Sequence, residues 1–229
     1  MGLRLTRYGR RELAACSMIA GALALASAAL AVELSAWAWL AVLAVVAAWL
    51  GVVGFFRDPD RQPPAGDGLL LSPADGTISD ITPVGPDSAL GCEGVQVGVF
   101  MSVFDVHVNR APCSGVIESI EHVPGSFLDV RQPAAWRRNE SATITMSRAG
   151  GGEHRVIVRQ VAGLIARRIV TDLATGQQVL AGQRIGMIKF GSRLEVLAPR
   201  ELARDVRVRV GQKVLAGRTV ILAAEQQDA

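Results

Sequence analysis

Hydrophobic and polar positions split the chain near residue 57. Ala14 to Val32 carries no charge, Glu33 interrupts, and Ala36 to Phe56 is uncharged again. The pattern predicts two apolar helices, each of about the 20 residues that cross a bilayer core. Arg10 and Arg11 precede the pair and Arg57 and Arg61 follow it, while the short middle holds only Glu33. By the positive-inside rule this is a helical membrane hairpin with both ends cytoplasmic. Tyr8, Trp37 and Trp39 stand where interfacial aromatics sit. A cleaved signal peptide competes for the first segment, but a second apolar segment follows at once, which argues against simple secretion. The first segment is alanine-rich, so a half-buried, monotopic hairpin is the alternative to full spanning.

Beyond the apolar region the pattern changes. Phe55-Phe56-Arg57-Asp58-Pro59-Asp60-Arg61-Gln62-Pro63-Pro64 alternates charge and proline, which marks a boundary between an anchor over residues 1–56 and a second domain over 57–229. From Leu69 onward short apolar runs such as Leu69–Leu71, Val95–Phe100 and Arg155–Val158 are separated by Gly, Pro, Asn and Asp, the pattern of strands and turns. Pro124 to Asn139 reads as a loop, with Trp136-Arg137-Arg138 near its end. Gly176-Gln177-Gln178-Val179-Leu180-Ala181-Gly182 recurs as Gly211-Gln212-Lys213-Val214-Leu215-Ala216-Gly217. Two copies are too few for a solenoid and suggest paired β-hairpins of the kind that build lipoyl-like, barrel-sandwich folds. The expected fold is therefore mainly β (α+β) with such hairpin repeats, preceded by the helical hairpin.

Composition narrows the partners. The 229 residues carry 24 basic and 21 acidic side chains, and no basic stripe interleaves with aromatics, so nucleic acid is not an expected partner. A mild positive excess suits an anionic lipid surface. Cys16, Cys92 and Cys113 have no metal-ligand spacing; they read as reduced thiols, and no metal is expected.

Three places could carry chemistry. Gly191-Ser192 lies between the β-like runs Gly186–Lys189 and Leu194–Pro199, and glycine lets the backbone there take strained angles that bring a nucleophile onto the preceding carbonyl. Ser72-Pro73-Ala74-Asp75-Gly76 presents a carboxylate in a tight turn. In Phe104-Asp105-Val106-His107-Val108-Asn109-Arg110-Ala111-Pro112, Asp105 and His107 alternate with valines and on a strand would share a face. A serine needs a base to become a nucleophile, and the base needs a partner to fix its tautomer; Ser192, His107 and Asp75 could fill those roles. No G-x-S-x-G elbow is present.

Taken in order, Phe55-Phe56-Arg57-Asp58-Pro59, Ser72–Gly76, Phe104–Pro112 and Phe190-Gly191-Ser192 resemble the short bacterial form of the phosphatidylserine decarboxylase family. That resemblance implies a bacterial inner-membrane enzyme with its catalytic domain on the cytoplasmic face. It implies self-cleavage between Gly191 and Ser192, which leaves a large chain 1–191 paired with a small chain 192–229 that begins with a pyruvoyl group derived from Ser192. The pyruvoyl cofactor would form a Schiff base with phosphatidylserine in the membrane, and loss of CO2 would yield phosphatidylethanolamine. Asp75 and His107 are the catalytic residues carried over, Asp105 and Arg110 are supporting ones, and homo-oligomers are compatible with the family. Longer family members place a second histidine where Arg110 stands and a hydroxyl residue where Arg193 stands. Two other functions fit parts of the sequence. One is a membrane-anchored, lipoyl-like adaptor without activity; the other is a membrane serine hydrolase that uses Ser192 intact.

Overall fold

The computed structural model describes residues 4–33, 37, 39–149, 154–164, 168–189 and 191–224, so Phe190 and Ala36 lie outside the described residues. The chain divides into two units, Met1–Asp60 and Arg61–Ala229.

In the first unit, the uncharged runs form α1 (Arg10–Glu33) and α2 (Trp39–Phe55). The helices pack on each other, and Trp49 Nε1 donates to Ser17 Oγ at 3.0 Å between them. Their outer ends are tied together: Thr6 N donates to Phe56 O at 2.9 Å and Asp58 N to Arg4 O at 2.8 Å. Gly9 makes this closure possible, since a Cβ there would stand 2.1 Å from the Phe56 ring. Met18, Leu23, Leu25, Leu40, Leu43 and Leu50 all face outward. An apolar surface of that extent marks a partner other than water. By length and composition α1 can cross a membrane. The 17 residues of α2 are fewer than the sequence suggested and reach only ~25 Å at 1.5 Å per residue.

The second unit is mainly β. Its strands are β1 (Leu69–Leu71), β2 (Gly76–Val84), β3 (Gly94–Met101), β4 (Val108–Arg110), β5 (Gly115–Val123), β6 (Ser141–Arg148) and β7 (Arg155–Val161). They continue as β8 (Ile169–Thr171), β9 (Gln178–Val179), β10 (Arg184–Ile188), β11 (Ser192–Pro199), β12 (Asp205–Val206), β13 (Lys213–Val214) and β14 (Val220–Ala223). Eight form one antiparallel sheet in the order β13-β2-β3-β11-β7-β6-β5-β9, and two three-stranded sheets run β1-β14-β12 and β4-β10-β8.

These orders are palindromic. Exchanging β13 with β9, β2 with β5, β3 with β6 and β11 with β7 returns the large sheet, and exchanging β1 with β4, β14 with β10 and β12 with β8 converts one small sheet into the other. The hydrogen bonds repeat as well. Ile78 N donates to Gln212 O and Ile117 N to Gln177 O, both at 2.9 Å; Gly217 N donates to Ser72 O at 2.8 Å and Gly182 N to Ala111 O at 2.9 Å. The unit is thus two interleaved copies of one motif. The G-Q-x-V-L-A-G segments supply the two outermost strands of the large sheet, and the sheet curls so that their last glycines meet. A Cβ on Gly217 would stand 3.2 Å from the Gly182 Cα.

The main core draws Ile78, Val97, Val99, Met101, Leu194 and Val196 from the large sheet and Leu70, Ile185 and Leu222 from the small ones. Every residue of β11 is buried. Leu194 and Val196 pack in that core, and Arg193 and Glu195 alternate with them on the opposite face. The segment read as a loop over Pro124–Asn139 contains a short helix, α3 (Pro133–Arg138), which starts at a proline, the residue best suited to a first helical turn.

Candidate active site

Ser192 opens β11 at the centre of the large sheet, directly opposite Met101 at the end of β3. Even-numbered positions of β11 face the core, so the Ser192 side chain points inward and is fully buried. Its Oγ has no hydrogen-bond partner among the described residues, an arrangement that disfavours a purely structural serine. The preceding Gly191 has φ +51°, a left-handed conformation that a side chain would strain. Its carbonyl lies against the backbone of Gly163, where a Cβ would stand 1.8 Å from the oxygen. Two glycines therefore set the carbonyl that precedes Ser192.

His107 approaches the same end of β3. The chain leaves Met101, turns through Ser102–Asp105 and enters β4 at Val108. Asp105 and His107 thus lie on a turn and its exit, not on one strand face as the alternation suggested. The reason is the Asp105 carboxylate, which accepts from the Ser102 amide at 2.8 Å and closes the turn. His107 is fully buried, and its Nδ1 is 2.9 Å from the Asp105 carbonyl. A carbonyl only accepts, so Nδ1 carries a proton, and in the neutral imidazole the lone pair of a base is on Nε2.

Asp75 flanks β3 from the other side. Gly76 begins β2 and packs on the Phe100 carbonyl, 2.1 Å from where its Cβ would be. Strands stand ~4.8 Å apart, so the starts of β2 and β11 are roughly 10 Å from each other across β3. The buried Asp75 carboxylate is engaged by Arg61 through both oxygens, with Nη2 at 2.6 Å from Oδ2, and accepts the Ala216 amide at 2.8 Å. Its counterpart in the second copy is Ser114, whose Oγ accepts the Ala181 amide at 3.0 Å. Arg110 donates to the Gly182 carbonyl at 2.9 Å and its backbone amide to Pro73 O at 2.9 Å, so it braces the repeat loop and the Asp75 turn together.

Several neighbours carry no signal in the sequence. Gln160 donates to Asn109 Oδ1 at 2.8 Å, Thr171 donates to Gln160 Oε1 at 3.0 Å, and the Asn109 amide points to Met101 Sδ at 3.8 Å. This buried polar chain backs the residue opposite Ser192. On the outer face, Arg193 is almost fully buried. It donates to Asp80 at 2.5 and 2.9 Å, to Ser79 Oγ at 2.5 Å and to Glu195 at 2.8 Å. Trp136 of α3 covers its guanidinium at 3.7 Å from the ring centroid. Gly98 makes room underneath, since a Cβ there would be 2.3 Å from Nη2. Burial pushes the Asp80 carboxyl up, but the Arg193 hydrogen bond and charge outweigh it and hold the group below its ordinary value. A cleft of about 900 Å³ lies at the opposite end of β3, lined by Gly94, Arg200 and Arg204, and is remote from Ser192.

A family model for phosphatidylserine decarboxylase matches residues 50–222. A phosphatidylserine decarboxylase proenzyme of Geobacter metallireducens is 44% identical over 205 residues, 89% of this chain and 91% of its own. That of Symbiobacterium thermophilum is 46% identical over 185 residues, 81% and 83% of the two chains. That of Paramagnetospirillum magneticum is 47% identical over 170 residues, 73% and 69%. The protein is a lyase of the carboxy-lyase class. It belongs to the phosphatidylserine decarboxylase family.

Proposed function

We propose that this chain is a self-cleaving, pyruvoyl-dependent phosphatidylserine decarboxylase and that the pyruvoyl group arises from Ser192. One observation supports this above the others: Ser192 Oγ is buried without a partner next to a Gly191 carbonyl that lies against the Gly163 backbone. Ser192 Oγ attacks the Gly191 carbonyl carbon. The peptide C–N bond breaks, the nitrogen takes a proton, and an ester joins the two residues. Removal of the Ser192 Cα proton then expels the Gly191 carboxylate, which keeps the serine oxygen. Residue 192 is left as dehydroalanine, which tautomerises and hydrolyses with loss of ammonia to pyruvoyl. His107, with its Nδ1 proton directed at the Asp105 carbonyl, has the Nε2 lone pair to accept the serine or Cα proton. Asp75 serves as a positioning group that holds the start of β2 through Arg61 and Ala216.

A pyruvoyl group at residue 192 would supply the carbonyl that binds the substrate amine and the electron sink for loss of CO2, with phosphatidylethanolamine as product. Ser192 is fully buried in the continuous chain, so opening of the Gly191–Ser192 bond precedes turnover. A hydrolase that used Ser192 intact would need the hydroxyl open to substrate. The helical unit tethers the catalytic unit to the cytoplasmic face of the bacterial inner membrane, where the lipid headgroup is presented.

Intact-mass spectrometry of active protein tests the reading. Fragments 1–191 and 192–229 are expected, the second blocked at its amino end and modified when substrate and a hydride reductant are added together. Ser192→Ala should remain one inactive chain, and His107→Ala should lose cutting, turnover or both. A single uncut chain with an ordinary serine at 192 in active enzyme overturns it.

A further inference from the structure

Cleavage before Ser192 leaves the reactive residue with nothing covalent on its amino side. Pyruvoyl also lacks the amide N–H of the serine it replaces, so residue 192 has no backbone donor for the β11 ladder. The first residue able to fix its position is Arg193. We propose that Arg193 is the anchor of this new chain end, gripped by groups of the large fragment so that residue 192 stays in register after the cut. This rests on the cleavage reading above.

The geometry of the grip carries the inference. Asp80 takes two hydrogen bonds, Ser79 takes one, Trp136 stacks on the guanidinium and Gly98 leaves the floor open for it. All four belong to residues 1–191. Glu195, the remaining partner, lies on the small fragment two residues away and aligns the guanidinium from its own strand. A solvated surface arginine would keep its hydration. This one exchanges it for a planar fork on carboxylate and an aromatic face, contacts that resist lateral movement. Arg193 and Ser192 lie on opposite faces of β11, so the anchor holds the strand without touching the reacting atoms. It is a positioning residue.

In the uncut chain the same grip is redundant, because the peptide bond to Gly191 already fixes Ser192. That difference supplies the test. Asp80→Asn and Trp136→Ala are each made in the self-cleaving protein and in the uncut Ser192→Ala protein. Hydrogen exchange of the amides of residues 193–196 and steady-state kinetics are then measured. In cut enzyme, each substitution should speed exchange at residues 193–196 and lower kcat about tenfold with KM little changed, because alignment and not headgroup binding is lost. In the Ser192→Ala protein, the same substitutions should leave that exchange near its starting rate. Arg193→Lys keeps the charge but not the fork and should behave like Asp80→Asn. Should Asp80→Asn prevent cutting, Trp136→Ala, which removes only the cap, decides the comparison. Equal exchange in both backgrounds, or full kcat in the cut variants, overturns the anchor and leaves the cleavage reading standing. A wild-type protein that never cuts overturns both.

Discussion

The Gly163 backbone and the Gly191 carbonyl oxygen are in contact so close that no side chain fits between them; a Cβ at Gly163 would stand 1.8 Å from that oxygen. The obstacle is backbone, which cannot swing aside as a flexible side chain would. Under the proposed cleavage, Gly163→Ala should therefore fold but displace the carbonyl that Ser192 would attack, slowing self-cleavage by about a hundredfold, the penalty expected of a misplacement near 1 Å. Time-resolved gel analysis of freshly expressed protein measures this. Cutting at the wild-type rate would show that the contact does not set the reacting geometry.

Asp75 and Ser114 occupy equivalent positions and accept equivalent amides, which separates the structural part of Asp75 from the rest. Asp75→Asn keeps an oxygen for Ala216 but leaves Arg61, whose side chain is 7% exposed, without its counter-charge. Loss of one partner of such a buried pair costs about 3–5 kcal/mol, and the urea midpoint should fall accordingly. Replacing both, as Asp75→Ser with Arg61→Leu, gives position 75 the residue its counterpart Ser114 has, removes the buried charge and should recover most of that loss. The double variant should nevertheless cut poorly if Asp75 positions the site. Full processing would assign Asp75 to folding alone.

The thiols should differ in reactivity. Burial pushes the Cys113 thiol up to about 12, so it stays protonated and unreactive at pH 8, while Cys92 is exposed. Brief iodoacetamide treatment of the folded protein, read by peptide mass, should label Cys92 and spare Cys113. Early labelling of Cys113 would mean that the core around β5 opens readily.

Deleting residues 1–54 should release the catalytic unit from lipid. The test is flotation with anionic vesicles at high salt, which suppresses charge attraction and leaves apolar insertion. Full flotation of the shortened protein would move the membrane-binding surface into the β unit.

Much of this architecture was legible in the sequence, and the misses have physical causes. The G-Q-x-V-L-A-G repeat announced itself because its glycines sit at positive φ and its valines are core residues, both unforgiving positions. The other half of the duplication leaves little signal in the sequence. Ser72–Ile78 and Ala111–Ile117 share only Pro, Gly and Ile at matching places (Pro73 and Pro112, Gly76 and Gly115, Ile78 and Ile117), and a 39-residue offset hides so sparse a pattern. Strand alternation misplaced Asp105 and His107 because a capped turn can imitate it over five residues. The Arg193 clamp was invisible for another reason: its partners Asp80, Gly98 and Trp136 come from three distant segments, joined only when the sheet forms. Gly163 left no trace at all, since a glycine between apolar residues has many bland explanations.

The placement of β11 gives the proposed cut a direction in time. Residues 192–229 provide a central strand of the large sheet, one of its outermost strands and two of the three strands of a small sheet. Such a fragment is woven through the molecule and cannot leave without dismantling it. Folding must therefore come first and scission second. A cut molecule that later unfolds faces a two-body reassembly that depends on concentration, whereas its precursor refolded alone. Each copy is then a device assembled once: heat or denaturant should destroy it irreversibly under dilute conditions in which the Ser192→Ala chain still recovers.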